Sequence, residues 1–347
     1  MKRARLGFIG AGWWATQNHI PVAVKTGKAE LSAVCRLGAE ELERVRGAFG
    51  FAHAFESVDE LLEKVPLDGA IITSPHGLHY AHARKALEAG LHVLVEKPMA
   101  TSAHEARELV ALGRRVNRHI LVPNGWNFRP YLLHARSLIQ GGAVGRIRHV
   151  AMQMASPAEA LFSGQPYPGT ESNMYRPPAS TWADPANFGG YGWGQLPHLL
   201  GCLFRITELK PQSVFALAGE SSTGVDLYNA AAIRFAEGAT GSLSGAGSVP
   251  MNSPFQVDIR IFGSEGMLLL DLERERLVVR RNDDANQDYA MEPGAGAYEC
   301  EEPVRRFVDL CLGLPVSNEA PGEVGMRAIE VIDALYRSIH SGKLEGV

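Results

Sequence analysis

The sequence predicts an α/β protein, with a doubly wound parallel sheet at the N-terminus followed by an α+β domain that has an open, mainly antiparallel sheet. Short apolar runs alternate with helical segments through the first third of the chain, and apolar residues recur with a period of two in its second half. A chain of 347 residues is also too long for one ordinary core. We therefore expect two domains, residues 1–125 and residues 126–347.

The first domain is predicted to alternate strands with helices. Strands are expected at 5–10, 30–35, 69–74, 91–96 and 119–124, and helices at 14–26, 39–49, 58–65, 78–90 and 102–116. Ser57 with Glu60, and Ser102 with Glu105, form capping boxes that open two of these helices. Strands that alternate with helices pair in parallel through right-handed crossovers, which predicts the doubly wound sheet.

The second domain shows strand patterns that alternate. In the strand predicted at 255–262, one face carries Phe255, Val257, Ile259 and Ile261, and the other carries Gln256, Asp258 and Arg260. The strand at 147–155 and the runs NAAAIRFAEG, ATGSLSGAGS, GMLLLDLE and RLVVRRN are its expected neighbours, and PVRRFVDLCLG and GEVGMRAIEVIDALYRSIHSG are the closing helices. We expect helices on one face of this sheet and a partly polar face, or a face buried against another subunit, on the other side.

Composition excludes several classes of function. The chain is 46% hydrophobic and 21% charged with a net charge of −4, which favours a globular protein that binds neither nucleic acid nor a membrane surface. It has no apolar run of about 18 residues, and its basic N-terminus lacks the pattern of a signal peptide. The four cysteines form no CxxC pair, so we expect a reducing, cytoplasmic setting.

A metal site is not expected either. His76, His79 and His82 are spaced by three residues, but no cluster of cysteines or carboxylates accompanies them.

A glycine-rich turn lies between the first strand and the first helix. Gly10 permits a tight turn, Gly12 lets the backbone approach a pyrophosphate, and Ala15 keeps the helix close to the strand. The helix N-terminus offers free N–H groups to the phosphates. The predicted dinucleotide-binding segment is Gly10, Ala11, Gly12, Trp13, Trp14 and Ala15.

The end of the second strand bears on the choice of dinucleotide. An acidic residue there would bind the ribose 2′-hydroxyl of NAD. This strand instead ends at Arg36, whose guanidinium suits the 2′-phosphate of NADP. NADP is therefore favoured over NAD, and an arginine exposed to solvent without a ligand is the alternative.

A lysine follows the fifth strand. The run VLVE is followed by Lys97 and Pro98, at the edge of the sheet where ligands bind in doubly wound folds. Lys97 would project toward the nicotinamide, and Pro98 would fix the turn that aims it. In this context, the segments GFIGAGWWA, TSPHGLHYAHARKALEAGLHVLVEKPMA, VPNGWNFRPYLLHARSLIQGGAVGRI and IFGSEGMLLLD resemble the glucose–fructose oxidoreductase / inositol dehydrogenase / rhizopine catabolism (Gfo/Idh/MocA) family.

The resemblance covers nearly the whole chain and implies a Rossmann domain, a C-terminal sheet that mediates oligomerisation, and NAD(P)-dependent oxidation of a sugar or cyclitol hydroxyl. It implies that Lys97 is the catalytic or substrate-orienting lysine and that Glu96 lies near the nicotinamide ribose. Further residues implied near the cofactor or substrate are Ser74, Pro75, His76, His79, Asn127 and Arg129. His76 departs from the family's usual asparagine.

The second catalytic group is predicted to be His198. Many family members have an aspartate four residues before this histidine and another three residues after it, where this chain has Gly194 and Gly201. Gln195 lies on nearly the same helix face and is able to replace a carboxylate as hydrogen-bond partner. An imidazole with an unperturbed pKa of roughly 6.5 suits proton transfer near neutral pH. The unperturbed pKa of a lysine is roughly 10.4, so Lys97 more readily donates a hydrogen bond to a developing alkoxide.

The stretch 156–194 is rich in Pro, Gly, Tyr and Trp and has little periodicity, which is typical of a functional loop. Aromatic faces that stack on a pyranose, with polar groups reading its hydroxyls, make up a usual sugar site. The substrate contacts predicted here, beside Lys97, Arg129 and His198, are Tyr175, Arg176, Trp182, Asp184, Tyr191 and Gln195.

Three functions remain open at this point. The first is a sugar or cyclitol dehydrogenase or reductase, expected as a homodimer or homotetramer through the C-terminal sheet. The second is a redox-type glycosidase with tightly held NAD. The third is a nucleotide-binding regulatory protein without turnover, which the presence of Lys97 and His198 disfavours.

Overall fold

The structure is a computed structural model that describes residues 2–347. Its internal contacts divide the chain into two compact units. The first unit comprises the described residues up to Gly125, together with Pro166–Thr181 and Cys300–Met326, and the second comprises Trp126–Gln165, Trp182–Glu299 and Arg327–Val347. The predicted domain division into residues 1–125 and 126–347 stays a prediction.

The first unit contains the parallel sheet. Its strands are β1 (Ala4–Ile9), β2 (Ala29–Cys35), β3 (His53–Phe55), β4 (Gly69–Ile72), β5 (His92–Val95) and β6 (Ile120–Leu121). They are ordered β3-β2-β1-β4-β5-β6, and every pair is parallel. The order reverses between β1 and β4, which is the point at which doubly wound sheets bind their ligands. The predicted doubly wound fold is confirmed.

The helices of this part of the chain lie close to their predicted positions. They are α1 (Ile20–Lys25), α2 (Ala39–Phe49), α3 (Val58–Lys64), α4 (His79–Glu88) and α5 (Ala103–Arg115), preceded by a π-helix at Ala15–His19 and a 3-10 turn at His76–Leu78. The hydroxyls of Ser57 and Ser102 accept the N–H groups of Glu60 and Glu105, which is one of the two bonds of each predicted capping box. The Glu105 carboxylate accepts the N–H of Thr101, one residue before the expected donor, Ser102.

Two predicted elements differ from those observed. The helix predicted at 14–26 divides into the π-helix and α1, because Pro21 has no N–H and the Ile20 N–H bonds the Ala15 carbonyl five residues back. The strand predicted at 119–124 ends at Leu121, because the next N–H, that of Val122, donates to the carbonyl of Ala320 instead.

The remaining elements complete the second unit and the C-terminal part of the first. In chain order they are a 3-10 turn at Gly125–Phe128, α6 (Pro130–Gln140), β7 (Ile147–Ala155), α7 (Glu159–Phe162), α8 (Ala179–Trp182), a 3-10 turn at Pro185–Asn187, α9 (Tyr191–Gly194), α10 (Leu196–Ile206), β8 (Pro211–Glu220), β9 (Asp226–Phe235), a 3-10 turn at Ala236–Gly238, β10 (Thr240–Ala246), β11 (Gln256–Gly263), β12 (Gly266–Asp271), β13 (Arg276–Arg281), β14 (Gln287–Ala290), α11 (Glu301–Cys311), α12 (Gly322–Ser341) and β15 (Glu345–Gly346).

The second sheet has nine strands in the order β14-β13-β12-β11-β7-β10-β9-β8-β15. Within this sheet, β7 and β10 are the only described strands that pair in parallel, so the predicted mainly antiparallel sheet is confirmed. In β11 the side chains of Val257, Ile259 and Ile261 are buried, which agrees with the predicted period of two.

The opposite face of this sheet carries apolar side chains at the surface. Phe215, Leu217 and Tyr228 are 38%, 64% and 43% exposed. Phe215 and Leu217 on β8 pair with Ala232 and Ala230 on β9, whose small side chains are also exposed. The face is therefore partly apolar.

Candidate functional site

The glycine-rich turn has room for a ligand at one position and not at another. Gly10 has a φ of +87°, and a β-carbon there would lie 2.3 Å from the backbone nitrogen of Ser74. A β-carbon on Gly12 would meet only the Gly10 carbonyl oxygen, at 3.8 Å. Gly10 is thus required by the fold, while Gly12 leaves an open backbone approach at the start of the helical segment. This geometry fits a dinucleotide pyrophosphate.

Aromatic rings follow this turn. The rings of Trp13 and Trp14 meet edge to face with their centroids 5.4 Å apart, and Tyr167 lies edge to face with Trp13 at 6.3 Å. Ala11 and Ala15 are fully buried. Tyr167, which belongs to the long stretch 156–194, therefore packs against the glycine-rich turn within the first unit.

Arg36 lies at the end of β2, as predicted, and it has two neighbours. Its Nη1 donates to the Ala11 carbonyl at 3.0 Å, and its guanidinium lies 4.2 Å from the ring centroid of Tyr175. The guanidinium of Arg44, on α2, is 5.7 Å from the same centroid, and the Tyr175 hydroxyl donates to the Glu41 carbonyl at 3.1 Å. Two arginines therefore share one tyrosine ring beside the glycine-rich turn.

Tyr175 and Arg176, which were predicted to contact substrate, both belong to the first unit. Arg176 is exposed. Tyr175 is the less exposed of the two, and its contacts are with the residues after β2 and with α2.

The turn after β4 is held by histidines. Each ring nitrogen of the buried His79 contacts a carbonyl oxygen, Nδ1 that of Pro98 at 2.7 Å and Nε2 that of Ser74 at 2.6 Å. The Ser74 hydroxyl lies 2.9 Å from His82 Nδ1. His76 is also buried, with its ring 5.9 Å from that of His79. These contacts tie the turns after β4 and β5 together.

Burial sets the pKa of these imidazoles. Desolvation lowers the pKa of His79, against the opposing effects of its two carbonyl contacts and the nearby Glu96 carboxylate. Desolvation also lowers the pKa of His82 to about 4. The His82 ring is therefore neutral at pH 7.

Glu96 and Lys97 follow β5 directly. Glu96 is 8% exposed, its Oε1 lies 2.7 Å from Nε2 of the buried His19, and its Oε2 accepts the Lys97 backbone N–H at 3.0 Å. The pKa of Lys97 is lowered by desolvation, which the charges of Glu96 and the Cys300 side chain oppose. Lys97 is joined to Pro98 by a cis peptide bond.

In the second unit, His198 lies in the first turn of α10 and is 7% exposed. Aromatic rings surround it: the centroid of Tyr298 lies 4.9 Å from the imidazole, and that of Trp126 lies 6.0 Å away. The Trp126 indole N–H donates to the Gly296 carbonyl at 3.0 Å, which fixes the segment that carries Tyr298. The predicted catalytic imidazole thus lies within an aromatic cluster.

The packing around Gly194 leaves no room for a carboxylate at this one of the two positions. A β-carbon on Gly194 would lie 2.9 Å from Cζ of Phe162 and 3.2 Å from Cζ3 of Trp182, so the two rings occupy the space of a side chain. Gln195 precedes α10, and its carbonyl accepts the His198 N–H at 3.0 Å. No aspartate fits at position 194 unless these rings move.

The other predicted residues of the second unit lie in different surroundings. Asn127 is buried, and Arg129 donates to the Ala297 carbonyl at 3.3 Å. Asp184 caps a 3-10 turn through the Ala186 N–H at 2.9 Å and the Asn187 side-chain amide at 2.8 Å.

Tyr191 is fully buried, and its hydroxyl donates to the Met154 carbonyl at 3.0 Å. Tyr191, which was predicted to contact substrate, therefore packs in the core of the second unit.

The helix α9, just before α10, is anchored by a buried carboxylate. Asp226 accepts the Gly192 N–H at 2.8 Å, the side-chain amide of Asn229 at 2.9 Å and the Tyr336 hydroxyl. The ring of Tyr336 stacks on that of Trp193, with centroids 5.0 Å apart and planes 5° apart. Burial raises the pKa of Asp226, and the three hydrogen bonds oppose that shift.

Sequence reasoning missed several residues of these clusters, among them His19, Trp126 and Tyr298. His19 lies in the helix after the glycine-rich turn, and its one signal is its spacing from that motif. Trp126 stands beside two predicted residues in the run GWNFR, whereas Tyr298 lies in a glycine-rich loop that offers no signal.

The described part of the chain contains neither a cluster of metal ligands nor a membrane-spanning helix. Residues 2–347 contain no group of three or more His, Cys, Asp or Glu side chains arranged to hold a metal ion. Within the same residues, every helix is too short or too polar to cross a membrane.

Curated relatives of this chain include sugar-processing enzymes. The dTDP-3,4-didehydro-2,6-dideoxy-alpha-D-glucose 3-reductase of Saccharopolyspora spinosa is 28% identical over 274 residues, 78% of this chain and 75% of that protein. The D-glucoside 3-dehydrogenase of Escherichia coli (strain K12) is 29% identical over 143 residues, 41% of each protein. Among solved structures, the WlbA dehydrogenase from Bordetella pertussis, in complex with NADH and UDP-GlcNAcA, has the same fold, with 23% identity and a TM-score of 0.73 over 100% of this chain and 99% of that one.

Family models match both parts of the chain. The model described as "Oxidoreductase family, NAD-binding Rossmann fold" matches residues 4–123, and the "GFO/IDH/MocA C-terminal domain" matches residues 132–269. The resemblance inferred from the sequence is confirmed, and the chain belongs to the Gfo/Idh/MocA family of NAD-binding oxidoreductases.

Proposed function

We propose that this protein transfers a hydride between a sugar or cyclitol hydroxyl or carbonyl and a nicotinamide cofactor. The observation that carries the proposal is Lys97, an ammonium group at the end of β5 in the unit that holds the Gly10–Gly12 turn. A charge is costly to desolvate, and the adjacent buried Glu96 offsets part of that cost. The sugar-acting relatives support this substrate class, and a bound nicotinamide would supply the hydride chemistry.

Lys97 is the proposed donor to the substrate oxygen. Its ammonium would stabilise the negative charge that develops on that oxygen, and desolvation strengthens such an interaction. The lowered pKa of Lys97 also makes its proton easier to release than that of an exposed lysine.

His198 is the proposed proton-transfer group. It lies at the start of α10, and no aspartate orients it from position 194 because Phe162 and Trp182 fill that space. Edge-to-face contacts with Trp126 and Tyr298 restrict its ring instead. Other proposed substrate contacts of the second unit are Arg129, Trp182 and Gln195, and Asn127 is proposed near the cofactor.

NADP is the proposed preferred cofactor, with NAD as the alternative. The support is Arg36 at the end of β2 and a second guanidinium, that of Arg44, which faces the same tyrosine ring. Two cations at this place suit a 2′-phosphate, whereas the ribose hydroxyl of NAD favours an acidic residue. The NADH found with the WlbA dehydrogenase keeps NAD in consideration.

The partly apolar face of the nine-stranded sheet is proposed to join copies of this chain. Phe215, Leu217 and Tyr228 lie there at the surface, and burial of such side chains favours association. Sedimentation velocity would test it, because a monomer at micromolar concentration contradicts the proposed homodimer or homotetramer. A cytoplasmic location, supported by four free cysteines, is proposed with it and is testable by cell fractionation.

The function is tested by binding and turnover measured on the same preparation. Quenching of tryptophan fluorescence, to which Trp13 and Trp14 beside the glycine-rich turn contribute, would follow titration with NADP(H) and NAD(H). Binding of at least one of them is expected. A screen of sugars and inositols would then follow reduction of the bound dinucleotide by its absorbance. Binding without any turnover would contradict the oxidoreductase, and bond cleavage without net consumption of cofactor would indicate a redox-type glycosidase.

A further inference from the structure

A buried contact joins the nucleotide-binding turn to the segment that carries Lys97. His19 Nε2 lies 2.7 Å from Glu96 Oε1, and the two side chains are 1% and 10% exposed. The other carboxylate oxygen, Oε2, accepts the backbone N–H of Lys97 at 3.0 Å. One carboxylate therefore bonds both the histidine and the lysine's main chain.

His19 is held in place by the local backbone. It ends the π-helix that begins at Ala15, and Thr16 within that helix donates its hydroxyl to the Gly12 carbonyl at 3.0 Å. π-helical turns are rare and are frequently found at functional sites. The position of His19 is thus coupled to the turn that is proposed to hold the pyrophosphate.

The charge of Glu96 depends on this contact. Burial alone would raise its pKa, yet the pKa is lowered, and the hydrogen bond from His19 is the largest opposing cause. The other charged or titratable groups that face this carboxylate are Lys97 and His79. Without the donor on His19, a buried carboxylate would lose its main hydrogen bond, which is costly.

The contact with Glu96 fixes the role of one ring nitrogen of His19. Nε2 lies 2.7 Å from a carboxylate oxygen, which only accepts, so Nε2 carries a proton and donates to Glu96. The other ring nitrogen, Nδ1, is buried and has no hydrogen-bond partner among residues 2–347.

We propose that His19 is a positioning residue for Lys97, acting through Glu96. It keeps the Glu96 carboxylate ionised and aligned, and that carboxylate holds the backbone from which the Lys97 ammonium projects. The inference rests on the proposed function, because it takes Lys97 as the group that meets the substrate. In this proposal His19 couples the position of the nucleotide-binding turn to the orientation of the Lys97 side chain.

Two variants separate this role from simple packing. His19→Leu keeps much of the volume and removes the donor, whereas His19→Gln retains a side-chain N–H. For His19→Leu we expect a loss of roughly a hundredfold in kcat, as for a misplaced catalytic group, with little change in the Kd for the dinucleotide. The acid limb of its pH–rate profile should move to higher pH, and His19→Gln should recover most of kcat and the original profile.

The inference is overturned if His19→Leu retains the rate and profile of the parent, or if His19→Gln is as impaired as His19→Leu. Where the leucine variant does not fold, nitrogen-15 NMR of the unaltered protein decides. We expect an Nε2–H signal for His19 that shifts in Glu96→Gln, and an Nδ1–H tautomer would contradict the role. Absence of sugar turnover in the unaltered protein would remove the proposed function and leave this NMR result intact.

Discussion

Gly10 and Ser74 approach so closely that no side chain fits between them, since a β-carbon on Gly10 would lie 2.3 Å from the Ser74 nitrogen and 2.4 Å from its α-carbon. Both atoms belong to the backbone and do not rotate away. The positive φ of Gly10 adds to the restriction.

Gly10→Ala and Gly12→Ala should therefore fail in different ways. Gly10→Ala should lower the free energy of unfolding or prevent folding. Gly12→Ala should fold normally, because its methyl group meets no atom closer than 3.8 Å, and should weaken dinucleotide binding by about tenfold or more, or ~1.4 kcal/mol. Urea unfolding and fluorescence titration measure the two effects.

Gly47→Ala serves as the control for these variants. It lies inside α2 with open space around it, so alanine should raise stability by about 0.5–1 kcal/mol without touching binding. Unaltered dinucleotide affinity in Gly12→Ala would contradict the proposed pyrophosphate contact.

Lys97→Met should lower kcat by about 10²- to 10³-fold, the usual effect of removing one donor that faces a developing oxyanion. Methionine retains most of the buried stem and removes the ammonium group. Fluorescence titration should give a dinucleotide Kd close to that of the parent protein. Lys85→Met, on the surface and paired with Asp59, should leave both quantities unchanged. Full activity of Lys97→Met would rule out a catalytic lysine.

Arg36→Asp should reverse the preference between the two dinucleotides. The carboxylate would repel a 2′-phosphate and accept a hydrogen bond from a ribose hydroxyl, so kcat/KM with NADP should fall by about tenfold or more and that with NAD should rise. The control is Arg46→Ala. Arg46 lies in the following helix α2 and pairs with Glu43, so its replacement should change neither value of kcat/KM. A parent enzyme that already prefers NAD, with no change on substitution, would show that Arg36 does not select the cofactor.

Stability should fall as the pH drops from about 6.5 to about 4. His79, His82 and His92 have folded-state pKa values lowered by desolvation, to about 4 for His82 and His92. Unfolded imidazoles take up protons below about 6.5, so in this interval the unfolded chain binds more protons and is favoured. Below about 4, folded His82 and His92 take up protons too, and these two groups no longer contribute to the pH dependence of stability.

His92→Asn tests one of these contributions. His92 Nδ1 accepts the His119 N–H at 3.1 Å, and an asparagine oxygen is able to accept in its place without titrating. Thermal unfolding across the pH range should show a shallower fall for His92→Asn than for the parent. An identical slope would mean that His92 does not contribute.

Tyr336→Phe should lower the free energy of unfolding by about 1–3 kcal/mol, because it removes a donor to a buried carboxylate. The stacking of the ring on Trp193 is retained, so the effect reports on the two hydrogen bonds of the hydroxyl, the one it donates to Asp226 and the one it accepts from the Trp193 N–H. Tyr228→Phe, at 43% exposure, should be nearly neutral. Urea unfolding of both variants measures the difference, and equal stabilities would show that the buried bond contributes little.

Much of the fold follows from local pattern. The alternation of strands and helices predicted the parallel sheet, and Val257, Ile259 and Ile261 predicted the buried face of β11. The glycine motif and Lys97 were identifiable because each lies within a short segment whose backbone geometry it determines. Their predicted roles stay predictions.

Contacts between distant residues were beyond the reach of such patterns. His19 and Glu96 are 77 positions apart, and nothing near either residue signals the other. Tyr175 has the composition of a sugar-site residue, yet its ring packs on Arg36 because the segment Pro166–Thr181 belongs to the first unit. An aspartate such as Asp184 suits a hydroxyl contact or a helix cap equally well, and only the local backbone distinguishes them.

The packing of rings at position 194 also constrains how this protein could diversify. An aspartate introduced at Gly194 alone would collide with Phe162, so it should become acceptable only after that ring has been replaced by a smaller side chain. The two substitutions are thus epistatic. Laboratory evolution of an aspartate at position 194 should require the substitution of Phe162 to come first.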